Sequence, residues 1–379
     1  MLNPANYSAT EIFSKRQNQL IQALQFSNLH ALALNPGASL TYLTGLHFHL
    51  SERPVIAIFS PDKPVHLILP ELEGAKLLDL SYPVQAFPYG EDPSRWGDSF
   101  HAALLAAGLD SARIGVEPRQ LRLLEYRLLM QAGTTVEYIS AEDILASLRM
   151  IKDSHEIMAM RKAARIAQNA LLATIPFIRL AISEHDLASE LTLQLLRAGS
   201  DSEIPFSPIV SSGPNSANPH ASPSDRLLQA GDLLVLDFGA SYQGYISDIT
   251  RTFALGEIDP EYSHIAQIVL AANTAARNFV QPGVTAHQVD QAARTIITNA
   301  GYGSYFTHRT GHGIGMESHE EPYIRQGNSL VLQPGMAFTI EPGIYLTGRN
   351  GVRIEDDVVV TSDGLDSLTD YPREVVQLL

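Results

Sequence analysis

The stretch His308-Arg309-Thr310-Gly311-His312-Gly313-Ile314-Gly315-Met316-Glu317-Ser318-His319-Glu320 places three histidines within twelve residues and sets the middle one between glycines. A helix carrying His308 and His312 four apart would have to absorb Gly311, Gly313 and Gly315, each costing about 1 kcal/mol relative to alanine. The segment is therefore read as extended, with glycine where something approaches the backbone closely. Around it lie four acids, Asp237, Asp248, Glu341 and Glu355, in apolar or β-rich surroundings where a lone carboxylate is costly. His312 and these four form a candidate ligand set for two divalent ions. His308 and His319 remain for the substrate and transition state.

Two hairpins carry the acids. Residues 233–239 read as an apolar strand ending in Asp237-Phe238-Gly239, followed by a turn at 241–244 and a returning strand at 245–253. A turn centred between Tyr242 and Gln243 sets Asp237 opposite Asp248. Like charges directly opposed on neighbouring strands are destabilising, and a cation between them removes the conflict. Residues 336–341 and 352–360 form the second pair. A tight turn on Asn350-Gly351 puts Glu341 opposite Val360; a wider loop centred on Gly348 puts it opposite Glu355. The residues favour neither register, and the metal hypothesis selects the second.

The 379 residues are 45% hydrophobic and 18% charged, enough for a substantial core and for two domains. A formal charge of −15 argues against nucleic acid or an anionic membrane surface as the partner and suits cations. With no cysteine, disulfides and thiolate metal sites are excluded. No signal peptide and no membrane-length apolar run is read, so a cytoplasmic enzyme is expected.

A small α/β domain is expected over residues 1–146. Its parts are an amphipathic helix at 10–28 with Thr10 as N-cap, strands at 31–34, 55–59, 65–69 and 113–116, and helices at 100–107 and 121–132. His47 and His49 read as loop residues. A second domain, 147–379, opens with helices at 151–173 and 183–197, the latter capped by Ser183. The loop at 207–225, which holds His220, is too long to be structureless filler and is assigned to function.

The order Asp237, Asp248, His312, Glu341, Glu355 resembles the ligand set of the pita-bread metallopeptidases, a group that includes methionine aminopeptidase, aminopeptidase P and prolidase. The matching segments are Leu236-Asp237-Phe238-Gly239, Ser247-Asp248-Ile249-Thr250-Arg251-Thr252-Phe253, Gly311-His312-Gly313-Ile314-Gly315, Ile340-Glu341-Pro342-Gly343 and Arg353-Ile354-Glu355-Asp356. Residues 10–140 resemble, more weakly, the N-terminal domain of the creatinase, prolidase and aminopeptidase P branch. His308 and His319-Glu320-Glu321-Pro322 also resemble this Xaa-Pro branch. Ser318 departs from the branched aliphatic residue usual in the family.

The resemblance implies a two-domain chain, creatinase/prolidase-like α/β followed by a pita-bread α+β catalytic domain. It implies two divalent ions, Mn²⁺ or else Co²⁺ or Zn²⁺, bridged by Asp248 and Glu355, with Asp237 on one and His312 and Glu341 on the other. Glu341 also serves as the proton shuttle. His220 and His308 border the metals, one of them contacting the scissile carbonyl. His319, Arg353 and Tyr345 surround the substrate proline, and Phe206 walls its ring. The implied substrates are small peptides with proline second, and the implied assembly is a homodimer. An Arg353 fork on a free carboxylate favours a dipeptidase (prolidase) over aminopeptidase P. A creatinase-like C–N hydrolase and a catalytically dead binding module are the remaining readings. The five intact ligand positions count against both.

Overall fold

The computed structural model describes residues 9–133 and 135–379, in two compact units, Met1–Arg149 and Met150–Leu379. Ala146 falls inside the helix Glu142–Arg149, and the division comes at that helix's end.

In the first unit six strands form one mixed sheet, in the order Val84–Tyr89, Val65–Pro70, Ile56–Phe59, Ala31–Leu34, Arg113–Val116 and Glu137–Ser140. The parallel pairing of the last two is made through the helix Leu123–Ala132, the crossover that parallel strands require. The helix read at 10–28 spans Ala9–Phe26, so Thr10 lies inside it rather than capping it. Leu20 and Leu24 from its apolar stripe are fully buried.

The second unit has two larger sheets, each covered by a helix pair, and two two-stranded ladders. The four-stranded sheet runs Val376–Leu378, Ile249–Leu255, Leu233–Phe238, Ile209–Ser212 and packs on Ser154–Thr174 and Glu184–Arg197 through Ala167, Leu171, Leu187 and Leu191. The five-stranded sheet runs Glu320–Ile324, Gly311–Gly313, Ala337–Ile340, Asp356–Val360, Leu365–Ser367 and packs on Pro260–Phe279 and Ala286–Asn299 through Ile265, Val269, Val289 and Ala293. This is the expected α+β arrangement. The first helix starts at Ser154, not 151, because Asp153 and Glu156 close a capping box there. Ile151 is instead bridged to Met336. Ser183 caps the next helix as expected, accepting from Asp186 N.

One expected register is wrong. Tyr242 pairs with Tyr245 and Asp237 with Thr250, so Asp237 does not face Asp248. The two-residue turn is Gln243-Gly244, both at positive φ (53° and 75°), which moves the hairpin centre one residue along. Asp248 lies two residues before Thr250 and so keeps to the same face of the sheet as Asp237, displaced diagonally. The other hairpin has the register selected by the metal hypothesis. Gly343 pairs with Arg353 and Ile340 with Asp356, which leaves Glu341 opposite Glu355 in the break between the two ladders.

The glycines of the histidine segment are explained by neighbouring backbone. A Cβ on Gly311 would fall on the Thr339 carbonyl, and one on Gly313 on the Glu321 carbonyl, because Gly311–Gly313 is an inner strand. Gly311→Ala is therefore expected to lower stability by about 1–3 kcal/mol in thermal or denaturant unfolding. Gly97→Ala, in a helix with nothing within 4 Å of the new Cβ, should be neutral or slightly stabilising.

Candidate metal centre and substrate cavity

Register and chain breaks bring the five candidate ligands to one cavity of roughly 810 Å³, lined by Asp237, Asp248, His312, Glu341 and Glu355 together with His220, His308, His319, Arg309, Arg353 and Phe206. Ligand atoms of Asp248, His312 and Glu355 all lie within 4.8 Å of one another. His312 Nε2 is 3.6 Å from Glu341 Oε1 and 3.9 Å from Asp248 Oδ2. Its Nδ1 lies 3.1 Å from the Gly313 carbonyl, an acceptor, so Nδ1 carries the proton and Nε2 presents a bare lone pair to the acids.

The donor set fits cations. Burial, then Glu355 and Asp237, pushes Asp248 well above the usual carboxylate range, and burial with Glu341 does the same to Glu355. Burial raises Glu341 to about 7 against the pull of Arg353. Burial, then the charge of His319, drives His312 well below its ordinary value. Asp248 Oδ1 is buried without a hydrogen-bond partner. Acids that retain protons beside an imidazole that refuses one, with an orphaned oxygen among them, are satisfied together by divalent ions in place of the protons.

The residues behind this cluster fix its geometry. Thr250 Oγ1 donates to Glu355 Oε2 at 2.6 Å, Asp357 accepts from Asp248 N at 2.9 Å, and Thr310 O accepts from Glu341 N at 2.7 Å. Arg251 and Arg373 both pair with buried Asp356, beside Glu355.

The histidines and arginine separate into different positions. His308 Nδ1 lies 2.7 Å from Arg309 O and so carries its proton; its Nε2 then accepts from Tyr345 OH at 2.8 Å. Burial, then Arg353, lowers His308 to about 3, and the ring is neutral with both nitrogens used. In this arrangement it has no hydrogen left for a scissile carbonyl. His220 and His319, both exposed residues, line the cavity, and no hydrogen bond to either ring is made among the described residues. The His319 ring packs against buried His312, and the desolvation on that side lowers it.

Arg353 does not present the open fork expected of it. Its Nη2 pairs with Asp237 Oδ2, Nη1 donates to Pro219 O (3.2 Å) and Tyr345 OH (2.9 Å), and Nε donates to Thr250 Oγ1 (3.1 Å). Four of five hydrogens are taken, so a bidentate grip on a substrate carboxylate is not available. Tyr345 is 4% exposed and joins His308 to Arg353 rather than lining the cavity. Phe206 lines it with Pro208, Ile209, Pro219 and Ala221. Ser318 Oγ reaches Pro205 O at 3.4 Å, next to Phe206.

Four residues of the site escaped the sequence reading. Asp290 accepts from Thr310 N and Oγ1, and Arg294 donates to Phe306 O and His308 O, clamping the segment before His312. Both sit on Ala286–Asn299, whose start carried a legible capping box in Thr285 and Gln288. Fully buried Glu184 accepts from Ser212, Asn215 and Ser224 and shapes the His220 loop. Arg309, beside His308 in the sequence, lines the cavity.

The profile of metallopeptidase family M24 matches residues 158–362, and that of the creatinase/prolidase N-terminal domain matches residues 16–151. This chain belongs to metallopeptidase family M24. The M24 chain is 38% identical over 372 residues to the probable dipeptidase PepE of Mycobacterium tuberculosis, covering 97% of this chain and 96% of that one. It is 34% identical over 372 residues to the Xaa-Pro dipeptidase of Pyrococcus horikoshii, covering 97% and 100%. The crystal structure of a Pyrococcus horikoshii dipeptidase superposes with a TM-score of 0.90 at 38% identity, covering 96% and 100%. The M24 assignment makes this a metallopeptidase that takes divalent metal ions, and its acid–imidazole cluster supplies donors of the right kind.

Because Asp248, Glu355 and Glu341 are shifted upward, metal binding should displace protons from them near neutrality. Affinity should thus rise with pH through about 7 and fall below it. Titration calorimetry with Mn²⁺ in buffers of different ionisation enthalpy should show net proton release at pH 7; binding with no proton exchange would contradict the assignment. His308→Ala should keep the parent's metal content by elemental analysis, whereas Asp248→Ala should lose most of it.

Proposed function

We propose that this M24 metallopeptidase is a dinuclear Xaa-Pro dipeptidase that hydrolyses the peptide bond before a proline in second position. The observation that carries the reading is one cavity that combines the acid–imidazole cluster with an apolar wall of Phe206, Pro208, Ile209, Pro219 and Ala221. The relatives named as dipeptidases support it. Asp237, Asp248, His312, Glu341 and Glu355 hold two divalent ions, Mn²⁺ with Co²⁺ or Zn²⁺ as alternatives. When bound, such a pair supplies Lewis acidity and a water nucleophile at neutral pH.

The remaining work falls to the side chains. A bond before proline is a tertiary amide, and its nitrogen, like any amide nitrogen, must gain one proton to leave, here as the ring's secondary amine. Glu341 takes that proton from the attacking water and delivers it. His220 donates to the scissile carbonyl oxygen, since its ring is open to the cavity. His319 sits against His312, ring centroids 4.2 Å apart, and borders the proline residue. The His308–Tyr345–Arg353 chain orients Asp237. Burial pushes Tyr345 up to about 12, so its hydroxyl stays protonated and keeps donating to His308. Phe206 packs on the proline ring. We further infer a catalytic domain at 147–379 that follows an N-terminal domain at 1–146 in the chain, a homodimer, and action in the cytoplasm on small peptides. No described helix is long and apolar enough to cross a membrane.

Chelation should abolish hydrolysis of an Xaa-Pro dipeptide, and Mn²⁺ or Co²⁺ should restore it. Ala-Pro should be cut at least about tenfold faster in kcat/KM than Ala-Pro-Ala, a difference of about 1.4 kcal/mol in transition-state binding. Equal or faster cleavage of the tripeptide would assign aminopeptidase P instead, and full activity in a demonstrably metal-free sample would remove the metal chemistry.

A further inference from the structure

A dipeptide differs from every longer substrate by the free carboxylate on its proline. One residue spans about 3.5 Å, so that carboxylate lies about one residue length from the scissile bond and needs its cation in the same cavity. Two arginines line that cavity. Arg353 is committed to Asp237, Tyr345, Thr250 and Pro219. Arg309 is partly exposed, and its guanidinium makes no hydrogen bond or ion pair among the described residues.

Arg309 is nonetheless held in place. Its guanidinium carbon lies 4.5 Å from the centroid of the Tyr323 ring, a cation–π contact that fixes the plane while leaving the N–H edges unspent. Its backbone is pinned on both sides, by His308 Nδ1 on its own carbonyl and by Thr310 N on Ile324 O. The Asp290–Arg294 clamp braces the same segment. It lines the same cavity as His319, Glu341 and His312, three residues before His312 in the chain. We propose that Arg309, stacked on Tyr323, binds the free carboxylate of the substrate proline and is the residue that makes dipeptides the preferred substrates. This rests on the Xaa-Pro reading above and names the specificity determinant within it. In a longer peptide the carboxylate is an amide, and the charge-assisted pair is lost.

The test compares Ala-Pro with Ala-Pro amide on the Mn²⁺-loaded enzyme, for the parent and for Arg309→Met, Arg309→Lys and Tyr323→Leu. The parent should favour the free acid by about 10- to 100-fold in kcat/KM, the range of a hydrogen-bonded ion pair. In Arg309→Met that ratio should fall to near one, mainly through a higher KM for Ala-Pro. Arg309→Lys should keep part of it, and Tyr323→Leu should lie between Arg309→Lys and Arg309→Met. An Arg309→Met enzyme that keeps the parent's ratio, or that loses on both substrates alike, overturns the role of Arg309 while leaving the dipeptidase reading in place. Should Arg309→Met fail to fold, a full parental ratio in Arg309→Lys together with Tyr323→Leu overturns it equally. A parent that prefers the amide overturns the dipeptidase reading itself, and this inference with it.

Discussion

Four carboxylates converging on one buried imidazole are the constraint on which the catalytic unit depends. Among the described residues only one cation, Arg353, touches the cluster directly, and it is spent on Asp237. The other acids relieve their crowding by holding protons, as the upward shifts of Asp248, Glu355 and Glu341 record. Carboxylates crowded in this way ionise together once divalent cations take the place of those protons.

The scaffold around the cluster holds it open instead of letting it relax. Both acid-bearing hairpins belong to sheets covered by helix pairs, so neither can slip by one residue without exchanging its helix-facing side chains with those of the opposite face. Behind Glu355, Asp356 is held below the usual carboxylate range because Arg251 and Arg373 outweigh its burial. On the other side Asp290 and Arg294 pin the approach to His312, and Glu184 pins the loop that presents His220. These ties are what a site needs if its ligands must keep their positions while a substrate is exchanged.

Much of this was legible in the sequence for physical reasons. Glycines on either side of His312 excluded a helix, and the structure shows the carbonyls of Thr339 and Glu321 where their side chains would lie. The Glu341–Glu355 register followed from requiring the acids to meet, and the strands pair that way. The Asp237–Asp248 register failed because composition does not locate a two-residue turn; Gln243 at positive φ gave no signal that glycine would have given. The resemblance set Arg353 and Tyr345 about the substrate proline, but the partners they hold, Asp237 and His308, could not be read from distance along the chain. Asp290, Arg294 and Glu184 were missed for a related reason. Each acts through hydrogen bonds to backbone far away in sequence, and residue type leaves no trace of that.

Anomalous diffraction from crystals grown with Mn²⁺ tests the central claim most directly. The account predicts two peaks, roughly 3.5 Å apart, coordinated by Asp237, Asp248, His312, Glu341 and Glu355, with Arg353 still on Asp237 and Arg309 outside the coordination shell. A single peak, no peak, or metal ligated by His308 or His220 would contradict it.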